Sequence, residues 1–299
     1  MPERGRIAFV PPRFGDDMVG GAEAVIRETA QGLAGREWEV EILTTCARSH
    51  FHWVNEFPPG RTTSGGLSVQ RFPIVYSPSG VARDRVERRV QLGERVSFED
   101  QYTWLNGWRV PELFHHLVAH ASTYRAIVFA PYLFWPTVAC GAVAPERTVV
   151  MPCLHDETYA YLDIFRPVLA QPARVWFLSE PEHQLAHRLG TLTPGHTVTG
   201  AGVRVPEAYD PEGFRRRHGL DRDFVLYAGR REAGKGWDDL LRGFAAGVER
   251  LALPFDLVTF GVGDVNPPAS IADRVTDLGF VTDEEARNAF AAATAYLQP

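Results

Sequence analysis

The chain has 299 residues, 45% hydrophobic and 23% charged, which suits a soluble protein with one large or two ordinary domains. Its 31 Lys and Arg against 37 Asp and Glu give a formal net charge of -6, which excludes a global basic field for nucleic acid or anionic lipid, so any phosphate recognition must be local. Cys46, Cys140 and Cys153 form no C-x-x-C pair and cannot all be joined within one chain; together with an opening apolar run too short for a signal peptide, they lead to the expectation of a cytoplasmic protein with ordinary thiols.

The pattern opens with a strand over Ile7 to Val10, a loop containing Gly15 and Gly20-Gly21, and a helix with Ala22, Val25, Ile26, Thr29, Ala30 and Leu33 on one face. Further strands are predicted at Val40 to Thr44, Val69 to Phe72, Ala126 to Phe129, Thr148 to Met151 and Val175 to Leu178. Short apolar strands alternating with helices predict an α/β fold with a parallel sheet covered on both faces. Arginines interleaved with acids between about Ser77 and Asn106 read most simply as a solvated helix; the alternative, a helix in peripheral contact with a membrane, is weakened by those acids. The uncharged stretch Ala126 to Pro145 is interrupted by Pro131 and Pro136, so it reads as a buried strand, a turn and a packed helix rather than a membrane span.

From Val198 to Asp223 the chain is rich in Gly, Pro and charge, as expected of a passage between domains, and the boundary is placed at residue 205, giving domains 1-205 and 206-299. A second alternation follows: strand Phe224 to Tyr227, helix Trp237 to Val248, strand Leu257 to Phe260, helix Ala269 to Val275, strand Asp277 to Phe280, helix Asp283 to Ala292 and strand Ala295 to Leu297.

Two strand-to-helix turns carry phosphate-binding chemistry. Gly20-Gly21 lies where unpaired helix N-H groups and the helix dipole favour an anion; the other reading is a tight turn that needs glycine. In "YAGRREAGKGW", residues 227 to 237, Gly229, Gly234 and Lys235 fit G-x-x-x-x-G-K, but Gly236 stands where a P-loop needs a magnesium-holding hydroxyl. Arg230 and Lys235 nevertheless sit on a turn beyond a strand's carboxyl end, and two cations there suit a diphosphate. His155 follows an apolar strand at the same kind of edge, while Asp156 and Glu157 beside it either bind acceptor hydroxyls or cap a helix. His183 with His187, and His116 with His120, have metal-ligand spacing without an evident third ligand, and are read as helix-face histidines, with no metal site expected.

Taken together, these segments resemble the glycosyltransferases of the GT-B type, specifically the large family-4 group of retaining enzymes. The features that carry the resemblance are "GGAEAVIRETAQGLAGREWEVEILTT", "PCLHDE", "FLSEPEHQLAHRLG", "YAGRREAGKGW" with G-R-x-x-x-x-K-G, and "VTDLGFVTDEEARNAFAAATAYLQP", in family order over nearly the whole chain. The resemblance implies two Rossmann-like domains facing across a cleft, the acceptor mostly on the first and a nucleotide-sugar donor mostly on the second. It implies that Arg230 and Lys235 hold the donor diphosphate, met by Gly20 and Gly21. His155 would contact the transferred sugar, the Gly261-x-Gly263 turn would lie near the donor, and Phe280 and Val281 would meet the nucleotide base. It further implies retention of configuration, no cofactor beyond the donor substrate and no metal ion, with fixed cations and helix N-termini stabilising the leaving diphosphate. The acceptor is left open among a saccharide, a lipid-linked molecule and a small molecule, and no nucleic-acid partner is expected.

Two departures qualify the resemblance. Arg204 stands where many relatives have Asp, and the family's second-domain acidic pair, E-x-x-x-x-x-x-x-E, is not among these residues. The expectation is therefore a C-terminally truncated chain with an incomplete second domain, inactive as a transferase. Two alternatives stay open: a non-catalytic nucleotide-binding or scaffold protein, and a GT-B nucleotide-sugar epimerase.

Overall fold

The computed structural model describes residues 5–16, 18, 20–49, 52–77, 80–190, 192–202, 205 and 208–299. The chain divides into two compact units, Met1–Val203 and Arg204–Pro299.

The first unit runs β1 (Arg6–Val10), α1 (Gly21–Ala34), β2 (Glu39–Thr45), β3 (Gly60–Ser64), β4 (Leu67–Phe72), β5 (Val75–Tyr76), α2 (Gly80–Gln91), α3 (Phe98–Leu105), β6 (Trp108–Arg109), α4 (Pro111–His120), β7 (Tyr124–Phe129), β8 (Thr148–Val150), α5 (Arg166–Ala170), β9 (Arg174–Phe177), α6 (Glu180–Leu189) and β10 (His196–Val198). Eight strands form one sheet in the order β10-β9-β8-β7-β1-β2-β4-β3, parallel except for the β3–β4 hairpin. Because side chains alternate across a strand, β1 sends Ile7 and Phe9 to the face covered by Ile26 and Ala30 of α1, and Ala8 and Val10 to the opposite core. The order reverses beside β1, and at such a point the carboxyl edge of a parallel sheet opens into a crevice.

The second unit contains α7 (Pro211–His218), β11 (Phe224–Ala228), α8 (Trp237–Leu251), β12 (Asp256–Phe260), β13 (Val275–Asp277), α9 (Asp283–Ala292) and β14 (Ala295–Tyr296). Its sheet is parallel throughout, in the order β13-β12-β11-β14. Val225 and Tyr227 pack on Trp237, Leu240, Leu241 and Phe244 of α8, while Phe224 and Leu226 face Phe214 of α7 and Ala289 of α9.

Several expectations need correction. The Arg-rich stretch is not one solvated helix: α2 and α3 are separate, and Val86, Val90, Trp104 and Leu105 enter the core. Ser97 starts α3 with a reciprocal capping box to Asp100. The expected helix in Ala126 to Pro145 is a short π-helical turn, Pro136–Cys140, and no helix of the described residues is long and apolar enough to cross a membrane. The helix expected over Ala269 to Val275 is a 3-10 turn, Ala269–Arg274. The strand expected at Asp277 to Phe280 ends at Asp277, because that carboxylate accepts the Gly279 N–H and folds the chain away.

Candidate active site

In the first unit a cavity of about 620 Å³ lies at the carboxyl edge of the sheet, walled by the start of α1, the loop after β8 and the start of α6. Gly21, His155 and Asp156 all line it, so three of the residues singled out from sequence share one cavity. Gly20 is the N-cap of α1 and offers no side-chain acceptor to the helix's first N-H groups. An anion can take that place. A Cβ on Gly21 would meet nothing within 4 Å, whereas one on Gly20 would come 2.1 Å from Glu23 Oε2. Glu23 cannot easily give way, because Arg13 Nε holds it at 2.6 Å in a pair that is largely buried.

The loop "MPCLHDE" is shaped by Cys153 in a left-handed conformation, φ 52, which few non-glycine residues adopt. Burial pushes the Cys153 thiol up to about 12, so this cavity wall holds no thiolate nucleophile near neutral pH. His155 is exposed, and among the described residues no protein group hydrogen-bonds its ring. Asp156 accepts from Tyr161 Oη at 2.7 Å and pairs with Arg188 at 3.2 Å. Glu157 accepts from Tyr132 Oη at 3.0 Å and lies outside the 620 Å³ cavity; its side chain makes no capping bond to the turn it begins.

Sequence reasoning missed Glu182. It is 6% exposed, and its two oxygens accept the Leu154 N–H at 2.8 Å and the Leu178 N–H at 2.6 Å, tying the loop after β8 to the loop after β9. Burial raises its carboxyl above the ordinary range, against the opposing pull of those N–H donors and of His155 nearby. The signal was present in Ser179-x-x-Glu182, a helix-start pattern in which Ser179 Oγ accepts the Glu182 N–H.

In a second cavity, of about 380 Å³, Trp53, Trp104, Trp108, Phe134 and Tyr159 form the walls beside Arg83. Glu87 is saturated: it accepts from Tyr159 Oη at 2.6 Å, from Trp104 Nε1 and, at 3.5 Å, from Arg83 Nη2. Arg83 Nε is buried and has no hydrogen-bond partner among the described residues. Gly107 makes room for that side chain, since a Cβ there would come 2.0 Å from Arg83 Cδ.

In the second unit the loop after β11 carries Arg230 and Lys235. Arg230 is exposed and pairs with Glu232 at 3.2 Å; Lys235 is exposed and has no ion pair among the described residues. Gly236 has φ 68, and a Cβ there would come 2.7 Å from Pro299 Cβ, so the position that would hold a P-loop hydroxyl is one only glycine fits. Gly261 is buttressed by backbone: its φ is 134, and a Cβ would lie 2.1 Å from the Gly229 carbonyl oxygen. The missed residue here is Arg231, which donates to Gly263 O at 2.9 Å and to both Asp277 oxygens at 3.1 Å, holding the ends of β11, β12 and β13 together. Phe280 is 70% exposed, and Val281 precedes Thr282, the N-cap of α9. Arg204 lies outside the described residues.

Of the two histidine pairs, His116 faces Tyr124 Oη at 3.3 Å. His183 and His187 acquire the third histidine that the sequence spacing lacked, His196 of β10, because helix α6 leads directly into that edge strand.

No family model and no curated protein matches the chain. Solved structures match it almost end to end. A sucrose-phosphate synthase from Thermosynechococcus elongatus is 17% identical with a TM-score of 0.64, over 98% of this chain and 75% of that one. Anabaena HepE in complex with UDP-glucose is 16% identical with a TM-score of 0.60, over 97% and 72%. WaaG, a glycosyltransferase involved in lipopolysaccharide biosynthesis, is 15% identical with a TM-score of 0.61, over 98% and 74%. The fold is that of the GT-B glycosyltransferases. At these identities the likeness carries the fold, while substrate and mechanism rest on this chain's own residues.

Proposed function

We propose that the chain is a glycosyltransferase of the family-4 type, taking a nucleoside-diphosphate sugar and passing the sugar to an acceptor with retention of configuration and without a catalytic metal. The observation that carries this reading is the 620 Å³ cavity in which the uncapped start of α1 and the unengaged His155 meet. In the second unit, Arg230 and Lys235 bind the diphosphate and offset the charge that develops as the nucleotide leaves. The turn at Gly261 and the exposed Phe280–Val281 segment serve the nucleotide. In the first unit, Gly20 and Gly21 offer helix N–H groups to an anionic oxygen, and His155 hydrogen-bonds a hydroxyl of the transferred sugar.

The aromatic cavity takes the acceptor. Glu87 is already engaged by Tyr159, Trp104 and Arg83, and Arg83 is the cationic side chain beside the aromatic walls. A hydroxyl-rich saccharide would leave many groups unpaired against indole and phenyl walls. An acceptor with an apolar ring body and a single oxygen toward Arg83 suits the walls better. The loop from His155 to Tyr159 joins the two cavities in sequence, and Asp156 and Glu157 on it serve the acceptor's reacting hydroxyl.

The test is a transfer assay with UDP-, GDP- and ADP-sugars against a panel of phenolic and saccharide acceptors in excess chelator. The anomeric proton coupling of the product reports configuration. Retained configuration on a phenolic acceptor supports the reading; inversion, a strict divalent-ion requirement for turnover, or a free epimerised nucleotide sugar formed without acceptor would overturn it.

A further inference from the structure

Helix α6 brings His183 and His187 to one face, and β10, the strand at the sheet's edge, brings His196 to meet them. One nitrogen from each ring lies within 4.8 Å of the other two, and His183 Nε2 and His187 Nε2 are 3.0 Å apart. A tetrahedral ion holding nitrogens at about 2.0–2.1 Å sets them about 3.3 Å from one another, so the pair needs to open by only a few tenths of an ångström.

The neighbours of these rings decide which nitrogens are available. His196 Nδ1 lies 2.7 Å from the Thr193 carbonyl oxygen, an acceptor only, so that nitrogen carries the proton and Nε2 keeps its lone pair. His183 Nδ1 faces Glu180 Oε1 at 3.4 Å, which places its proton in the same way and forms a carboxylate–histidine relay behind the ring. Two of the three imidazoles are thus held in the tautomer a metal requires, by the outer-shell partners that metal-binding histidines ordinarily have. Phe177 packs on His183 with ring centroids 5.2 Å apart and closes one side. His187 is exposed, leaving the other side open to water.

We propose that His183, His187 and His196 bind one divalent first-row transition ion of the zinc type, with water completing the coordination. Neutral imidazole is a ligand of choice for such ions, and with no carboxylate in the first shell, magnesium and calcium are disfavoured. The ion cross-links α6 to a three-residue edge strand that pairs, among the described residues, with β9 alone. Pro181, Gln184, Leu185 and Arg188 of α6 line the 620 Å³ cavity, whereas His183 and His187 do not. The site is therefore a staple that stiffens a cavity wall from behind, and it stands apart from the transfer reaction proposed above.

The experiment uses the full chain without an affinity tag, stripped by chelator and then titrated with Zn(II) by calorimetry and with Co(II) by visible absorption, alongside thermal unfolding. One ion per chain, a tetrahedral Co(II) spectrum and a higher melting temperature with Zn(II) are expected. His196→Gln and His187→Ala should each weaken binding at least about tenfold, and His120→Ala, in the other histidine pair, should change nothing. His187 is exposed, so its variant tests the site even if His196→Gln disturbs the edge strand. Absence of binding by the parent chain overturns the proposal. So does full-strength binding by His196→Gln, which would reduce the site to a surface pair of histidines.

Discussion

Replacing Glu182 by Ala removes the acceptor of two backbone N–H groups, at Leu154 and Leu178, in a wall where Glu182 itself is 6% exposed. A hydrogen bond to a charged group contributes about 1.5–3 kcal/mol, so the pair sums to about 3–6 kcal/mol. Part of this is offset, because the variant no longer buries a carboxylate whose ionisation burial disfavours, and because water in the adjoining cavity can reach the freed N–H groups. A net loss of about 2–4 kcal/mol is expected. Urea unfolding followed by tryptophan emission measures it well, since six of the seven tryptophans, all but Trp237, belong to the first unit. The pH dependence gives a second reading of the same group. Its folded pKa is raised, so the stabilisation linked to protonation is complete below the unfolded carboxyl pKa and is lost as pH rises through the folded value. The deficit of Glu182→Gln should accordingly be largest in acid and narrow as pH rises. A loss below about 0.5 kcal/mol for Glu182→Ala, the size of an ordinary surface change, would refute the idea that this carboxylate ties the two loops.

His155→Ala should lower turnover far more than nucleoside-diphosphate affinity, measured as a kcat loss without a matching change in Kd; equal losses in both would make His155 a structural residue. Arg83→Ala should raise the KM for a phenolic acceptor at least about tenfold, with donor KM unchanged, because the guanidinium that would donate to the acceptor oxygen is lost. Gly261→Ala forces a Cβ against the Gly229 carbonyl in a strained conformation and should destabilise the second unit by about 1–3 kcal/mol. The nearby Gly234→Ala, with open space around it, serves as the control in the same denaturation experiment.

Most strands were legible within one to three residues because both faces of the parallel sheets are buried, leaving continuous apolar runs such as Phe224 to Tyr227. β3 was not, because Gly60–Ser64 is polar and largely exposed, although Gly65-Gly66 after it marks the hairpin turn. α7 lies in a stretch whose Gly, Pro and charge read as linker, yet its Asp210 N-cap, Pro211 and left-handed Gly219 spell a start and a stop. The loops carrying Arg230, Lys235 and His155 could be found because strand ends mark them. Arg231 could not, because a buried charge is written like any surface charge and its partner Asp277 lies 46 residues away; Ser179-x-x-Glu182 marks a helix start, but not the bond from Leu154, 28 residues off, that gives Glu182 its role. The aromatic cavity is assembled from segments as distant as Trp53 and Tyr159, and His196 joins its two partners only through β10's place at the sheet edge.

In the proposed reaction the loop after β11 binds the diphosphate of a nucleotide sugar. The most direct measurement is calorimetric titration of UDP, GDP and ADP into the parent chain and into Arg230→Ala and Lys235→Ala. Saturable binding of at least one diphosphate by the parent is expected, weakened by about 1.5–3 kcal/mol in each variant, as for loss of a charge-assisted hydrogen bond. Unchanged affinity in both variants, or no binding of any diphosphate by the parent, would contradict it.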